Sequence, residues 1–158
     1  MLIVYFLGAV ILSVIDQLSK LAVLRFIKPI DTVPLLEGIF HLTYCENRGA
    51  AFGILQGRFG LLFVITALVL IAVTVYMIKK QPKSLCLTAA VTLLVGGALG
   101  NLIDRMFRGF VVDFLDFRLI HFPVFNVADC FVVCGAILLM IYVLFFEGRK
   151  ESEENKSE

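Results

Sequence analysis

FGLLFVITALVLIAVTVYMI, residues Phe59 to Ile78, carries no charged side chain and is long enough as a helix to cross a bilayer once. It stops at Lys79, Lys80, Pro82 and Lys83. LCLTAAVTLLVGGALGNLI, Leu85 to Ile103, then offers a second crossing of similar length. Two further apolar runs flank this pair. Leu2 to Leu24 carries Asp16 and Lys20, and Phe125 to Phe146 carries Asp129 near its start. Four spans are therefore expected, at about 2–24, 59–78, 85–103 and 125–146. All should be helical, because lipid offers no partner to an open backbone.

The composition agrees. Of 158 residues, 60% are hydrophobic and 17% charged, and the mean hydropathy is +0.97. A soluble domain of this length has too much surface to hide that apolar share. The chain reads as one α-helical integral membrane domain over residues 1–150, followed by a polar tail, ESEENKSE, at 151–158. Net charge is +1 without a basic patch, so nucleic acid is not an expected partner. The N-terminal run has no basic leader and no small-residue cleavage pattern. It passes into DQLSK and reads as a retained span rather than a removed signal peptide.

Lysines 79, 80 and 83 crowd one short turn, and Arg149 and Lys150 follow the last span. The positive-inside rule places both in the cytoplasm, with both termini inside. Two longer segments then lie outside, about 25–58 and 105–124. In the first, Phe40 to Tyr44 alternates apolar and polar residues as a strand does, before ENRGAAFG, where Gly49 and Gly53 allow turns. The second is rich in Phe and Val. A small extracytoplasmic β-sheet and an interfacial segment are expected there.

Charge within or beside spans is costly and points inward. Asp16 and Lys20 stand four residues apart and can pair on one helix face. This reads as an ion pair closing the bundle or as an ordering element for a nearby site; Lys20 also has the reach to meet lipid phosphate. The glycines of GGALGNLIDR, from Gly96, are explained by close helix packing. Asn101, Asp104 and Arg105 at the end of that helix are not, although Asp104 paired with Arg105 or Arg108 would make a fastener. Asp113 and Asp116 follow among Val and Phe. Asn126 is placed to cap the fourth helix, with Asp129 in its first turn. Topology puts Asp104, Asp113, Asp116 and Asp129 at one depth, near the outer face.

Ser-His or Cys-His chemistry finds little support, since His41 and His121 are isolated and no serine or cysteine has an obvious base. Cys45, Cys86, Cys130 and Cys134 form no metal-ligand or disulfide spacing, and no metal or other cofactor is expected. Two carboxylates sharing a proton remain: one takes a proton from water while its protonated partner polarises a carbonyl. The residues alone stop short of proteolysis: carboxylate pairs also serve glycosidases, and transporters also use intramembrane acids, but nearer the bilayer midplane and with matching repeats. A non-enzymatic assembly factor would need only the glycine-rich faces.

The motifs DQLSK from Asp16, NRGAAFG from Asn47, GGALGNLIDR from Gly96, VVDF from Val111 and FNVADC from Phe125 occur in the order found in the lipoprotein signal peptidase (signal peptidase II) family, which the chain resembles over nearly its whole length. The resemblance implies an aspartic endopeptidase of the bacterial cytoplasmic membrane. Such an enzyme cuts diacylglyceryl-modified prolipoproteins just before the lipidated cysteine. It implies Asp113 and Asp129 as the catalytic pair, with Asp16, Lys20, Asn47, Gly49, Asn101, Asp104, Arg105 and Asn126 supporting the site or contacting substrate. It further implies contact with membrane lipids and inhibition by globomycin-type cyclic peptides. A monomer is expected.

Overall fold

The computed structural model describes residues 1–49 and 59–147. Helix α1 (Leu2–Ala22) runs on through a π-type turn (Val23–Ile27), and α2 (Phe59–Lys80), α3 (Leu85–Arg108) and α4 (Val127–Tyr142) follow. Counted through the π-type turns that continue α1 to Ile27 and α4 to Phe145, all four are long and apolar enough to cross a membrane, which makes the chain a four-span integral membrane protein. α2 shows why water is excluded as its solvent. Leu61, Ile65, Leu68, Val69 and Ile71 are exposed, and its buried anchor is Met77, packed with Tyr5, Leu87 and Val91. Lipid accepts such a surface, while water would drive it to associate.

α3 is the central helix, and its small residues set its distances to α1 and α4. A Cβ on Gly97 would overlap the Ala128 carbonyl oxygen, and one on Gly100 would overlap the Asp16 carboxylate. Backbones can approach this closely only without side chains between them. α3 does not stop at Ile103. It continues through Asp104 and Arg105 to Arg108, because those charges find partners in the bundle, and it ends where Gly109 takes a left-handed conformation (φ 78°). α4 begins at Val127 behind Asn126, which accepts the Asp129 N–H as its cap.

Beyond the ends of α1 and α3 lies a three-stranded antiparallel sheet, β1 (Thr32–Leu36), β2 (Phe40–Asn47) and β3 (Val111–Phe117), in that order. The alternating Phe40–Tyr44 stretch lies in β2, the central strand. β1 takes Pro34 at an edge, where a missing N–H does least harm. The pairing of β2 with β3 shifts between Leu42 and Cys45, next to the Cys45–Asp113 pair. An extra residue of this kind bends a strand and re-aims its side chains. A short bridge, Leu115 with Phe125, pins the lead-in to α4 onto β3. The expected interfacial segment falls partly on residues 50–58, and the polar tail on 151–158; both stretches, with Gly53, lie outside the described residues.

Candidate active site

Two polar layers meet where α1, α3 and α4 converge beneath the sheet. The deeper one is a buried ion cluster. The Lys20 ammonium donates to Asp16 Oδ2 at 2.9 Å, to Asp104 Oδ2 at 3.1 Å and to Asn101 Oδ1 at 2.8 Å. Asp104 is also paired with Arg108, accepts from Gln17 Nε2 at 3.0 Å, and takes the Val112 N–H at 3.0 Å. Asp16 Oδ1 accepts the Ala128 N–H at 3.0 Å. Two carboxylates are thus balanced by two cations, and most of their oxygens' capacity is used by donors from α1, α3, β3 and α4. A buried charge survives only on such terms.

Lys20 is completely buried, so it does not reach lipid phosphate; the two carboxylates hold it inside the bundle. Of the two arginines considered for Asp104, Arg108 is the partner, one helical turn on. Gln17 belongs to the same cluster and is absent from the site read from sequence. Its adjacency to Asp16 in DQLSK was the available signal. Its amide also donates to the Gly100 carbonyl, and its oxygen accepts from Arg108.

The upper layer surrounds a cavity of about 760 Å³ lined by Asn47, Asn101, Arg105, Asp113 and Asp129, with an apolar wall that includes Phe122, Phe125, Val132 and Val133. Asp113 Oδ2 accepts Asn47 Nδ2 at 2.9 Å, and Oδ1 accepts Asn126 Nδ2 at 2.5 Å. Asp129 Oδ1 accepts Asn101 Nδ2 at 2.8 Å, and Oδ2 accepts the Asn126 backbone N–H at 3.1 Å, completing a reciprocal capping box. Asn126 therefore touches both acids, one with its side chain and one with its backbone. Asn47 is aimed in turn: its Oδ1 accepts the Gly49 N–H, leaving Nδ2 for Asp113, and Arg105 donates to the Gly49 carbonyl at 3.2 Å.

Asp116 goes elsewhere. Three residues beyond Asp113 on β3, it accepts from Arg118 Nε at 2.8 Å and Thr43 Oγ1 at 2.7 Å. Of the four acids expected at one depth, Asp104 lies in the buried ion cluster and Asp116 in this sheet-edge pair. Asp113 and Asp129 line the cavity.

Their environment separates them from ordinary surface acids. Burial pushes the Asp113 carboxyl up to about 7, the neighbouring Asp129 charge adds to the rise, and the Asn47 and Asn126 donors oppose it. Burial also raises the Cys45 thiol, with Asp113 adding to the effect. Cys45 thus stays a neutral thiol in the cavity wall and is a poor nucleophile. Among the described residues, no group of three or more His, Cys, Asp or Glu gathers in metal-binding geometry.

The signal peptidase (SPase) II family model matches residues 8–145. The chain belongs to the signal peptidase II family. It is 47% identical over 145 residues to the lipoprotein signal peptidase of Clostridioides difficile, covering 92% of this chain and 97% of that one. It is 44% identical over 149 residues to that of Brevibacillus brevis, with the same coverages. A bacterial membrane enzyme structure determined by the in meso method at 2.3 Å resolution superposes with a TM-score of 0.81. The two are 38% identical, and the match covers 89% of this chain and 87% of that one. A second, at 1.9 Å, gives 0.79 at 38% identity, covering 90% and 93%. This signal peptidase II homologue is accordingly a peptidase and a multi-pass bacterial membrane protein. Its activity is the removal of signal peptides from lipoproteins, and its substrates are prolipoproteins.

Proposed function

We propose that the protein is an aspartic endopeptidase that cuts diacylglyceryl-modified prolipoproteins just before the lipidated cysteine, with Asp113 and Asp129 as its catalytic dyad. The observation that carries this reading is two carboxyls, Asp113 and Asp129, lining one cavity and aimed by asparagine donors, with burial pushing Asp113 up to about 7. Asp113 starts protonated and transfers its proton to the scissile carbonyl oxygen. Asp129, the carboxylate partner, takes a proton from water as the water oxygen bonds to the carbonyl carbon. When the tetrahedral species collapses, the C–N bond breaks and the nitrogen of the lipidated cysteine receives the proton from Asp129. The carbonyl re-forms as a carboxyl group and Asp113 recovers its proton. Such proton exchange belongs to the pair, so its pH profile reports two apparent values for the dyad.

The apolar cavity wall along α4 supports lipid recognition: Val132 and Val133 continue it down the span, where a diacylglyceryl chain can lie in contact with membrane lipid. The lysine-rich turn between α2 and α3 supports a cytoplasmic location for that end of the bundle and for both termini, with the sheet and dyad at the outer face of the cytoplasmic membrane. The cavity also has the mixed polar and apolar lining that a globomycin-type cyclic peptide requires. Among the described residues, the donors to both acids lie within this chain and complete the site without a partner, which supports the monomer.

The test uses full-length protein in lipid with a diacylglyceryl-modified substrate peptide. D113N and D129N should each abolish cleavage while accumulating normally in the membrane. Full turnover in either variant would remove that residue from the dyad. Proton or solute flux without cleavage would replace the peptidase reading with a transporter; placement of the acids at one end of the bundle argues against that outcome.

A further inference from the structure

Asn101 joins the two polar layers, and its amide can work in one orientation only. Lys20 has donors and no acceptor. The atom that it meets 2.8 Å away is therefore the Asn101 carbonyl oxygen, and this is the shortest of its three contacts. Asn126 Nδ2 also donates to that oxygen, but at 3.1 Å, and it lies closer to Asp113, at 2.5 Å. With the oxygen held, the amide nitrogen faces Asp129 Oδ1. Half a turn of the same amide would present an oxygen to the carboxylate.

We propose that Lys20 is a positioning residue for the dyad: through Asn101, its ammonium dictates that a donor rather than an acceptor faces Asp129. The inference rests on Asp113 and Asp129 being the catalytic pair. The charged and titratable groups around this chain of contacts are Asp16 on α1, Asp104, Arg105 and Arg108 on α3, Asp113 on β3, Cys130 on α4, and Cys45, Glu46 and Arg48 from β2 and its end. Lys20 also lowers the Asp113 carboxyl directly through its charge; the relay is distinguished from that field because its effect on Asp129 passes through one amide and is lost with Asn101.

The experiment compares kcat and its pH dependence for wild type, D16N, N101L, D16N/K20M and D16N/K20M/N101L. All are full-length and in lipid, acting on a diacylglyceryl-modified peptide. Removing Asp16 and Lys20 charges together leaves Asp104 balanced by Arg108, which protects the fold. D16N retains Lys20 and is the reference against which the added K20M is read. D16N/K20M and N101L should each lower kcat by about 10- to 100-fold, as expected for a lost hydrogen bond to a charged group, with KM little changed. Each should also move the acid limb to higher pH by about one unit or more. The triple variant should fall no further than N101L, because both changes break the same relay. A wild-type acid limb in D16N/K20M, with only a lower melting temperature, would overturn the proposal. So would losses that multiply in the triple variant. If D16N/K20M fails to accumulate, D16N/K20Q keeps more of the packing and must shift the limb likewise. Failure of the dyad assignment would show separately, as turnover by D129N.

Discussion

Asp113 makes the stability of this protein depend on pH in a direction opposite to that of a salt-bridged carboxylate. Its carboxyl is raised from 3.8 to about 7, by burial first and by the Asp129 charge second. A carboxyl with a raised native value binds its proton more tightly when folded. Its favourable contribution is complete below the unfolded value, fades as pH rises through the window from about 4 to about 7, and is gone above it. A rise of about 3 pH units corresponds to about 4 kcal/mol. Asp113→Asn cannot ionise and should abolish this dependence. The stability of D113N relative to wild type should therefore grow by about 4 kcal/mol between about pH 4 and about pH 8. That is a relative shift on the order of 10 °C in melting temperature. Thermal unfolding of both proteins in detergent, followed by circular dichroism across this range, measures it. A difference between variant and wild type that stays flat with pH would refute the reasoning, whatever the activity of D113N.

Three further outcomes follow from particular contacts. Asp129→Asn removes a charge that raises Asp113, so the Asp113 carboxyl should titrate at lower pH; its infrared carbonyl band reports this directly. Asp104→Asn leaves Arg108 without its carboxylate and Lys20 with Asp16 alone, an excess positive charge in the buried cluster that should cost about 3–5 kcal/mol, seen as lower membrane accumulation and an earlier melt. Gly100→Ala puts a methyl group against the Asp16 carboxylate and should destabilise by about 1–3 kcal/mol, measurable as a lower melting temperature.

The apolar spans were legible in sequence because each declares itself in one continuous run. The Asp16–Lys20 pair was legible because its spacing is local, one helical turn. β2 was legible in the alternation of Phe40 to Tyr44. β1 was not, because Thr32–Leu36 is short and carries a proline, and its place depends on pairing with β2. The end of α3 was also hidden. Asp104 and Arg105 resemble a helix boundary until Lys20, Val112 and Gly49 are known to receive them. Residue chemistry in the sequence could gather four acids at one depth but could not separate Asp113 from Asp104 and Asp116 without the family resemblance. What parts them in the fold is the partners of each, and those come from distant segments: Ala128 and Asp16, joined across the same polar region, lie 112 positions apart.

The capping box that opens α4 has an evolutionary consequence. Asn126 and Asp129 are at once the start signal of a membrane helix and the neighbours or agents of the proposed chemistry. A serine or threonine would cap that helix almost as well, so folding alone tolerates a range of residues there. Selection for thermal robustness could wander within that range, while selection for turnover could not. A library of variants sorted only by yield or melting temperature should therefore drift at positions 126 and 129 toward well-folded, inert proteins, which marks this corner as the place where durability and activity part company.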